Sequence, residues 1–166
     1  RVEMPRGPLM SLKTKLEPSA RGGPVRTIAV CAAQIPFFEG GAEALVGGLI
    51  RELARRGHEV DRVNIPFKWY PRDQLLKSLE VWRLLDLSES NGKKIDLIIT
   101  TKFPSYFAEH PNKVLWLIHQ YRHLYDLWGT PYSDFDASQE TDRRFRGQLI
   151  ELDTEVLKSY QRIYTI

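Results

Sequence analysis

The sequence predicts an α/β domain built on a parallel sheet with helices on both faces, and three observations carry that prediction. Short apolar runs that read as buried strands recur along the chain; stretches with a helical apolar period separate them; and the most unusual loops are those that follow strands. Such alternation implies βαβ units with right-handed crossovers. In sheets of this kind ligands bind beyond the carboxyl ends of the strands.

Residues 1–24 hold four of the ten prolines, with Gly7, Gly22 and Gly23, and show neither a helical nor a strand period. They read as an extension or draped arm outside a fold that occupies residues 25–166. Thr27–Ala33 (TIAVCAA) is a continuous apolar run suited to a strand buried on both faces. After a glycine-bearing loop, Gln34–Gly41, the segment Ala42–Arg56 repeats apolar residues at Leu45, Leu49 and Leu53 and at Val46, Ile50 and Ala54. Gly57 stops that helix. Gly47 and Gly48 inside it cost roughly 1 kcal/mol each against alanine, which predicts close packing of the helix on the sheet.

His58–Ile65 alternates as a second strand. Pro66 and Pro71 bracket a loop with Phe67, Trp69 and Tyr70. Arg72–Leu87 reads as a helix, Asn91-Gly92 as a turn, and Ile95–Thr101 and Lys113–Ile118 as buried strands. Residues 119–135 form a long loop. Ser138–Gln161 is a helix with Phe145, Leu149, Leu152, Val156 and Tyr160 on one face. Its other face carries expected i,i+4 pairs, Glu140 with Arg144 and Asp142 with Arg146. Arg162–Ile166 starts a further strand.

The chain has 166 residues, 42% of them apolar and 27% charged, which suits one α/β domain with a real core. A net charge of +3 with no dense basic stripe argues against a nucleic-acid partner. The one cysteine, Cys31, excludes an internal disulfide and fits a reducing compartment. No apolar stretch approaches the ~20 residues of a spanning helix. The expectation is a cytoplasmic protein, with room for contact at the inner face of a membrane through an acceptor.

Three loops hold the chemistry. Gly40-Gly41-Ala42-Glu43 opens the first helix, where glycines permit close approach and free N–H groups suit a phosphate. Neither the dinucleotide fingerprint nor a P-loop is present, because the glycines are adjacent and no Gly-Lys-Ser/Thr follows. Glu43 either contacts substrate or simply favours the helix N-terminus. His119, just past KVLWLI, faces the ligand crevice and can donate to a sugar hydroxyl or phosphate oxygen; the alternative is a histidine bonded to nearby backbone. If its strand neighbours the first, the imidazole reaches the space above the helix's first N–H groups. His119 and His123 alone, without a third ligand, make no metal site. Lys102 and Phe103 follow IDLIITT and offer an anion contact and a stacking face, or a solvated lysine and a packed ring. Arg122 joins them by loop position, and the Phe67–Tyr70 aromatics read as acceptor or lipid contact or as cover for the sheet edge.

The order TIAVCAAQIPFFEGGAEALVGGLIRELARRGHEVDRVNI, IDLIITT, KVLWLIHQYR resembles the amino-terminal domain of the retaining glycosyltransferases of the glycogen-synthase-like and phosphatidylinositol-mannosyltransferase-like type, sometimes called group 1. The Gly-Gly-Ala-Glu helix running into Arg-Gly-His-Glu-Val is the most specific piece, and the resemblance covers about residues 26–166. It implies a GT-B fold, two Rossmann-like domains facing across a cleft, with this chain the acceptor-side half. It further implies that Gly40 and Gly41 approach the donor diphosphate and that His119 contacts the donor sugar as the catalytic candidate. The substrates implied are a nucleotide sugar and a glycan, lipid or small-molecule acceptor, with no cofactor and no obligatory metal. The donor domain that would complete the enzyme is expected beyond RIYTI, so this chain alone is expected to be inactive. The rival readings are a free-standing flavodoxin-like or nucleotide-binding regulatory module without catalysis, and an interaction domain presenting the 67–70 aromatics.

Overall fold

A computed structural model describes residues 24–166; the arm expected over residues 1–24 lies outside that range except for Pro24. The elements run β1 (Thr27–Gln34), α1 (Gly41–Arg55), β2 (Glu59–Pro66), α2 (Asp73–Leu84), β3 (Glu89–Ser90), β4 (Lys93–Lys94), β5 (Leu97–Thr100), β6 (Lys113–Leu117), α3 (Glu140–Lys158) and β7 (Ile163–Thr165). Single-turn 3₁₀ helices lie after β5 (Ser105–Phe107) and after β6 (Arg122–Leu124).

Five strands form one parallel sheet in the order β2-β1-β5-β6-β7, a Rossmann-like α/β arrangement. Helix α1 covers the face bearing Ile28, Val30, Ala32 and Ile99, with Val46 buried against them. Helices α2 and α3 cover the face bearing Ala29, Cys31, Ile98 and Leu115, through Leu75, Leu79 and Trp82 and through Phe145, Leu149 and Val156. The chain therefore leaves β1 toward β2 over one face and returns past β1 to β5 over the other. The switch point is the β1/β5 boundary, where loops diverge and open a crevice. The strand before His119 is β6, and it does not neighbour β1; β5 lies between them.

Several boundaries move for physical reasons. The second helix ends at Leu84, where Leu85 turns extended (φ −70°, ψ 123°). Asn91 and Gly92 both adopt positive φ, 53° and 77°, the backbone of a tight hairpin turn, so the expected turn becomes the β3–β4 ribbon and the next strand begins at Leu97 rather than Ile95. The last helix spans Glu140–Lys158 rather than Ser138–Gln161. Its Glu140–Arg144 pair forms at 2.8 Å, but Asp142 does not pair with Arg146. Asp142 lies on the buried face, where it accepts from Arg72 and from the Asp136 N–H (2.8 Å). Arg146 instead donates to the Leu124 carbonyl at 2.8 Å. The Arg72 guanidinium also lies over the stacked Phe135 and Phe145 rings (5.4 and 5.3 Å), pinning the start of α3 to α2.

Gly47 and Gly48 do not pack closely on the sheet. A Cβ at Gly47 would meet only guanidinium tips at 3.4 Å, and one at Gly48 only Arg51 at 3.9 Å. Nothing in the packing requires glycine there, so Gly48→Ala should raise unfolding free energy by about 1 kcal/mol in urea titration.

A buried carboxylate ties the second face together. Asp153 of α3 is fully buried without a cation and accepts from the Tyr106 hydroxyl (3.0 Å) and the Tyr125 hydroxyl (2.8 Å). Burial pushes its pKa up to about 6, against the hydrogen bonds from Tyr125, Tyr106 and Gln120 that favour the charged form. Since the folded value exceeds the unfolded one, ~3.9, this group's stabilisation is complete below about pH 4 and is lost as pH rises through 6. The stability of Asp153→Asn relative to the wild type should therefore rise by about 3 kcal/mol between pH 4 and pH 7, read from paired denaturation curves.

Candidate functional site

At the carboxyl ends of β1, β5 and β6 a cavity of about 480 Å³ opens at the switch point. Its lining includes Gly40, Gly41, Glu43, Lys102, Phe103, His119 and Arg122, so the structure brings every candidate side chain or backbone into one place. A second cavity, about 360 Å³, lies at the opposite end of the sheet between Arg26, Asn112, Lys113 and Arg162. It holds none of these residues, and the carboxyl-end position is the one where an α/β sheet offers loops to a ligand.

The loops are fixed to one another by backbone. Thr101 Oγ1 donates to the Cys31 carbonyl (3.0 Å), which ties the end of β5 to β1. Ser105 Oγ donates to the Lys102 carbonyl (2.7 Å) and accepts from the Thr101 N–H (3.1 Å), closing the turn after β5. Phe103 N–H then donates to the His119 carbonyl at 3.3 Å, and Ile118 N–H to the Thr101 carbonyl at 2.9 Å, so the loops after β5 and β6 are tied to each other.

The start of α1 is partly occupied from within. Gly40 N–H donates to Glu43 Oε2 at 2.9 Å, half of a capping box that glycine cannot complete from its own side. A Cβ at Gly40 would sit 3.2 Å from the Phe38 ring and 3.3 Å from Glu43 Oε2, so the closeness of this cap favours glycine. The first helical bond is Ala44 N–H to the Gly40 carbonyl (3.1 Å), leaving the Gly41 and Ala42 N–H groups without a partner among the described residues, while the Glu43 N–H faces its own carboxylate. A Cβ at Gly41 would meet nothing within 4 Å, so this face is open to a ligand.

Lys102 is no solvated lysine. Its ammonium meets Glu43 Oε1 at 2.6 Å, and each side chain is only 13% exposed. Burial alone would raise the Glu43 carboxyl, but the Lys102 ammonium and the Gly40 N–H outweigh it and hold the group below its ordinary value. Glu43 is thus a cap and an ion-pair partner that walls the cavity. An anion arriving at the helix start meets a carboxylate that is already neutralised.

His119 is half-buried, and its Nδ1 lies 2.7 Å from the Gln120 carbonyl. A carbonyl only accepts, so Nδ1 carries the proton in this arrangement. Burial lowers the imidazole's pKa, reinforced by Lys102 and Arg122, despite the opposing Gln120 carbonyl and Asp126. The ring is therefore neutral at pH 7, and its Nε2, free among the described residues, accepts a hydrogen bond. The contact with Gln120 is the backbone bond that the sequence offered as the alternative for this residue, and it leaves Nε2 as the ring's acceptor.

Phe103 is not a free stacking face. It is 2% exposed, with ring centroids 5.2–6.1 Å from Tyr121, Phe67, Tyr106 and Phe107, and it forms the floor rather than a wall. Arg122 is exposed and paired with Asp126 at 2.8 Å. Among the described residues no three His, Cys, Asp or Glu side chains converge in metal-binding geometry, and no helix is long and apolar enough to cross a membrane.

The sequence reading missed Ile35, Phe38 and Tyr121 as lining residues, and left Trp69 undecided between contact and cover. For Ile35, Phe38 and Trp69 the signal was a run of bulky side chains in loops, IPFF and FKWY, which shows aromatic character without direction; Tyr121, in HQYR, has no such run. Trp69 is aimed by its indole N–H, which donates to Asp134 Oδ2 at 2.8 Å.

Removing the Glu43 carboxylate would strip Lys102 of its partner and Gly40 of its acceptor. Glu43→Ala should lower unfolding free energy by about 1–3 kcal/mol in chemical denaturation, whereas an exposed pair such as Lys77–Asp73 should cost under ~1 kcal/mol on the same change. The chain matches no protein-family model, no curated protein and no solved structure.

Proposed function

We propose that the chain is the acceptor-side half of a GT-B sugar transferase that moves a sugar from a nucleotide-sugar donor to an acceptor hydroxyl with retention. The observation that carries this reading is the single cavity that joins the open N–H groups of Gly41 and Ala42 to His119 across Lys102. It supports the role that the resemblance assigns to each. Helix α1 would meet the donor's diphosphate through backbone donors, and His119 Nε2 would orient a sugar hydroxyl by accepting from it. Catalysis in this reading is positioning plus stabilisation of the departing diphosphate, with no group of this chain acting as nucleophile. The donor's base and its remaining diphosphate contacts would come from a second domain.

The strand order gives the rival reading its support. Counted within the main sheet it runs 2-1-3-4-5, the order of flavodoxin-like modules that bind a nucleotide unaided. The two readings separate in one assay. Under the transferase reading, this chain alone transfers no radiolabelled sugar and binds nucleotide sugars weakly. Joined to the donor domain, it turns over, and His119→Ala cuts turnover by more than tenfold, about 1.4 kcal/mol or more of lost orientation. Submicromolar binding of a nucleotide by the isolated chain would favour the module instead, and unchanged turnover in His119→Ala would sink the role of the imidazole.

A further inference from the structure

The glycine pair inside α1 has no packing role, and the side chains that reach toward it are two arginines. The point that a Cβ of Gly47 would occupy lies 3.4 Å from Arg51 Nη1 and 3.4 Å from Arg62 Nη2. Two nitrogens that both reach one point lie within twice that distance of each other. Arg51 belongs to α1 itself, one turn beyond Gly47. Arg62 belongs to the edge strand β2 and stands in register with Val30. Residues in register share a face of the sheet, and Val30 lies on the face that α1 covers, so Arg62 runs over that face toward the helix.

Neither guanidinium has a carboxylate partner among the described residues. The helical neighbours of Arg51 at three and four places are Gly47, Gly48, Ala54 and Arg55, none of them acidic. Glu52, the next residue, is taken by Arg55 and Arg56. On the α1 side of β2 the neighbours of Arg62 are Val60 and Asn64, and Asn64 donates to Gln34 Oε1 at 2.6 Å. Asp61 alternates to the other face, and its carboxylate accepts from the Arg62 backbone N–H at 2.7 Å. Two like charges that converge in this way repel each other, and an anion that both can bond relieves the repulsion.

We infer that Arg51 and Arg62 bind one phosphate group of a small soluble molecule, seated in the notch that Gly47 leaves on the flank of α1. The glycine opens the seat. An oxyanion bonded to both tips shares the space between them with any methyl placed at position 47, whereas a Cβ at Gly48 would meet only Arg51, at 3.9 Å. The planar, weakly hydrated fork of guanidinium suits a phosphate. The small size of the occupant follows from charge. Arg55 and Arg56 are spent on Glu52, so the flank offers two free cations and not the wider basic field that a nucleic acid or an anionic membrane needs. None of Gly47, Gly48, Arg51 and Arg62 lines the cavity at the carboxyl ends of the strands, so this site is independent of the transferase reading.

The test is isothermal titration of the chain with inorganic phosphate at fixed pH and ionic strength, with chloride as the balancing anion. Saturable one-to-one binding is expected. Arg51→Gln and Arg62→Gln should each weaken it about tenfold or more. In chloride alone both variants should keep or raise the melting temperature, since each removes the repulsion, so lost binding is separated from lost folding. Gly47→Ala should abolish phosphate binding and raise the melting temperature, because alanine fills the seat and favours the helix; Gly48→Ala should raise the melting temperature and leave phosphate binding intact. Phosphate should raise the melting temperature of the wild type more than that of either glutamine variant. Absence of saturable binding, or binding that survives Arg51→Gln, Arg62→Gln and Gly47→Ala, overturns the proposal. So does flotation of the chain with phosphatidic acid vesicles that Arg51→Gln abolishes and inorganic phosphate does not compete, which would make the anion a headgroup.

Discussion

Strand β1 is buried on both faces from Ile28 to Ala33, and a strand in that position has no side chain to give to water. Helix α1 takes one face and helices α2 and α3 the other, so every residue of the run is small or apolar. Polar chemistry is thereby displaced along the strand axis to its ends. Its neighbour β5 obeys the same constraint. Thr100 and Thr101, both fully buried, turn their hydroxyls inward, one to Tyr160 Oη and the other to the Cys31 carbonyl. Even the thiol of Cys31 is silenced, its pKa pushed to about 12 by burial. What is left free to meet a ligand is the set of loops that leave the sheet at the switch point.

Those loops make a cavity with little net charge of its own. The helix start contributes partial positive charge, Glu43 opposes it, and Lys102 cancels Glu43 within hydrogen-bond distance. His119 is kept neutral by burial and by two nearby cations. Such a site offers oriented hydrogen-bonding groups more than bulk charge. The Glu43 carboxylate thus occupies part of the end of α1 that the Gly41 and Ala42 N–H groups leave open, and Lys102 is its partner there.

The two buried acids of α3 show how far tertiary context reassigns residues of one type. Asp142 and Asp153 both interrupt the apolar face of that helix, at the spacing of Phe145, Leu149 and Val156. Asp142 has Arg72 as its counter-charge, whereas Asp153 has two phenols and a rising pKa. One anchors α3 to α2. The other joins α3 to the loop that carries Gln120 and Tyr125, immediately beyond His119, so the site's far wall is braced by a group whose charge is costly at neutral pH.

The alternation of apolar runs and helical periods was enough to read the parallel sheet, because strands buried on both faces and amphipathic helices leave unambiguous periods in the chain. It was also enough to gather Gly40, Gly41, Glu43, Lys102, Phe103, His119 and Arg122 as neighbours, since loops that follow parallel strands share one edge of the sheet. The sequence could not say which way a side chain in those loops turns, or which partner it meets. Phe103 went to the core, Glu43 to the Gly40 N–H and Lys102, and the His119 proton to the Gln120 carbonyl. Each of those outcomes depends on contacts between segments far apart in sequence. Periodicity reports burial along one element, while partnership is decided only when the sheet order, β5 between β1 and β6, sets the elements side by side.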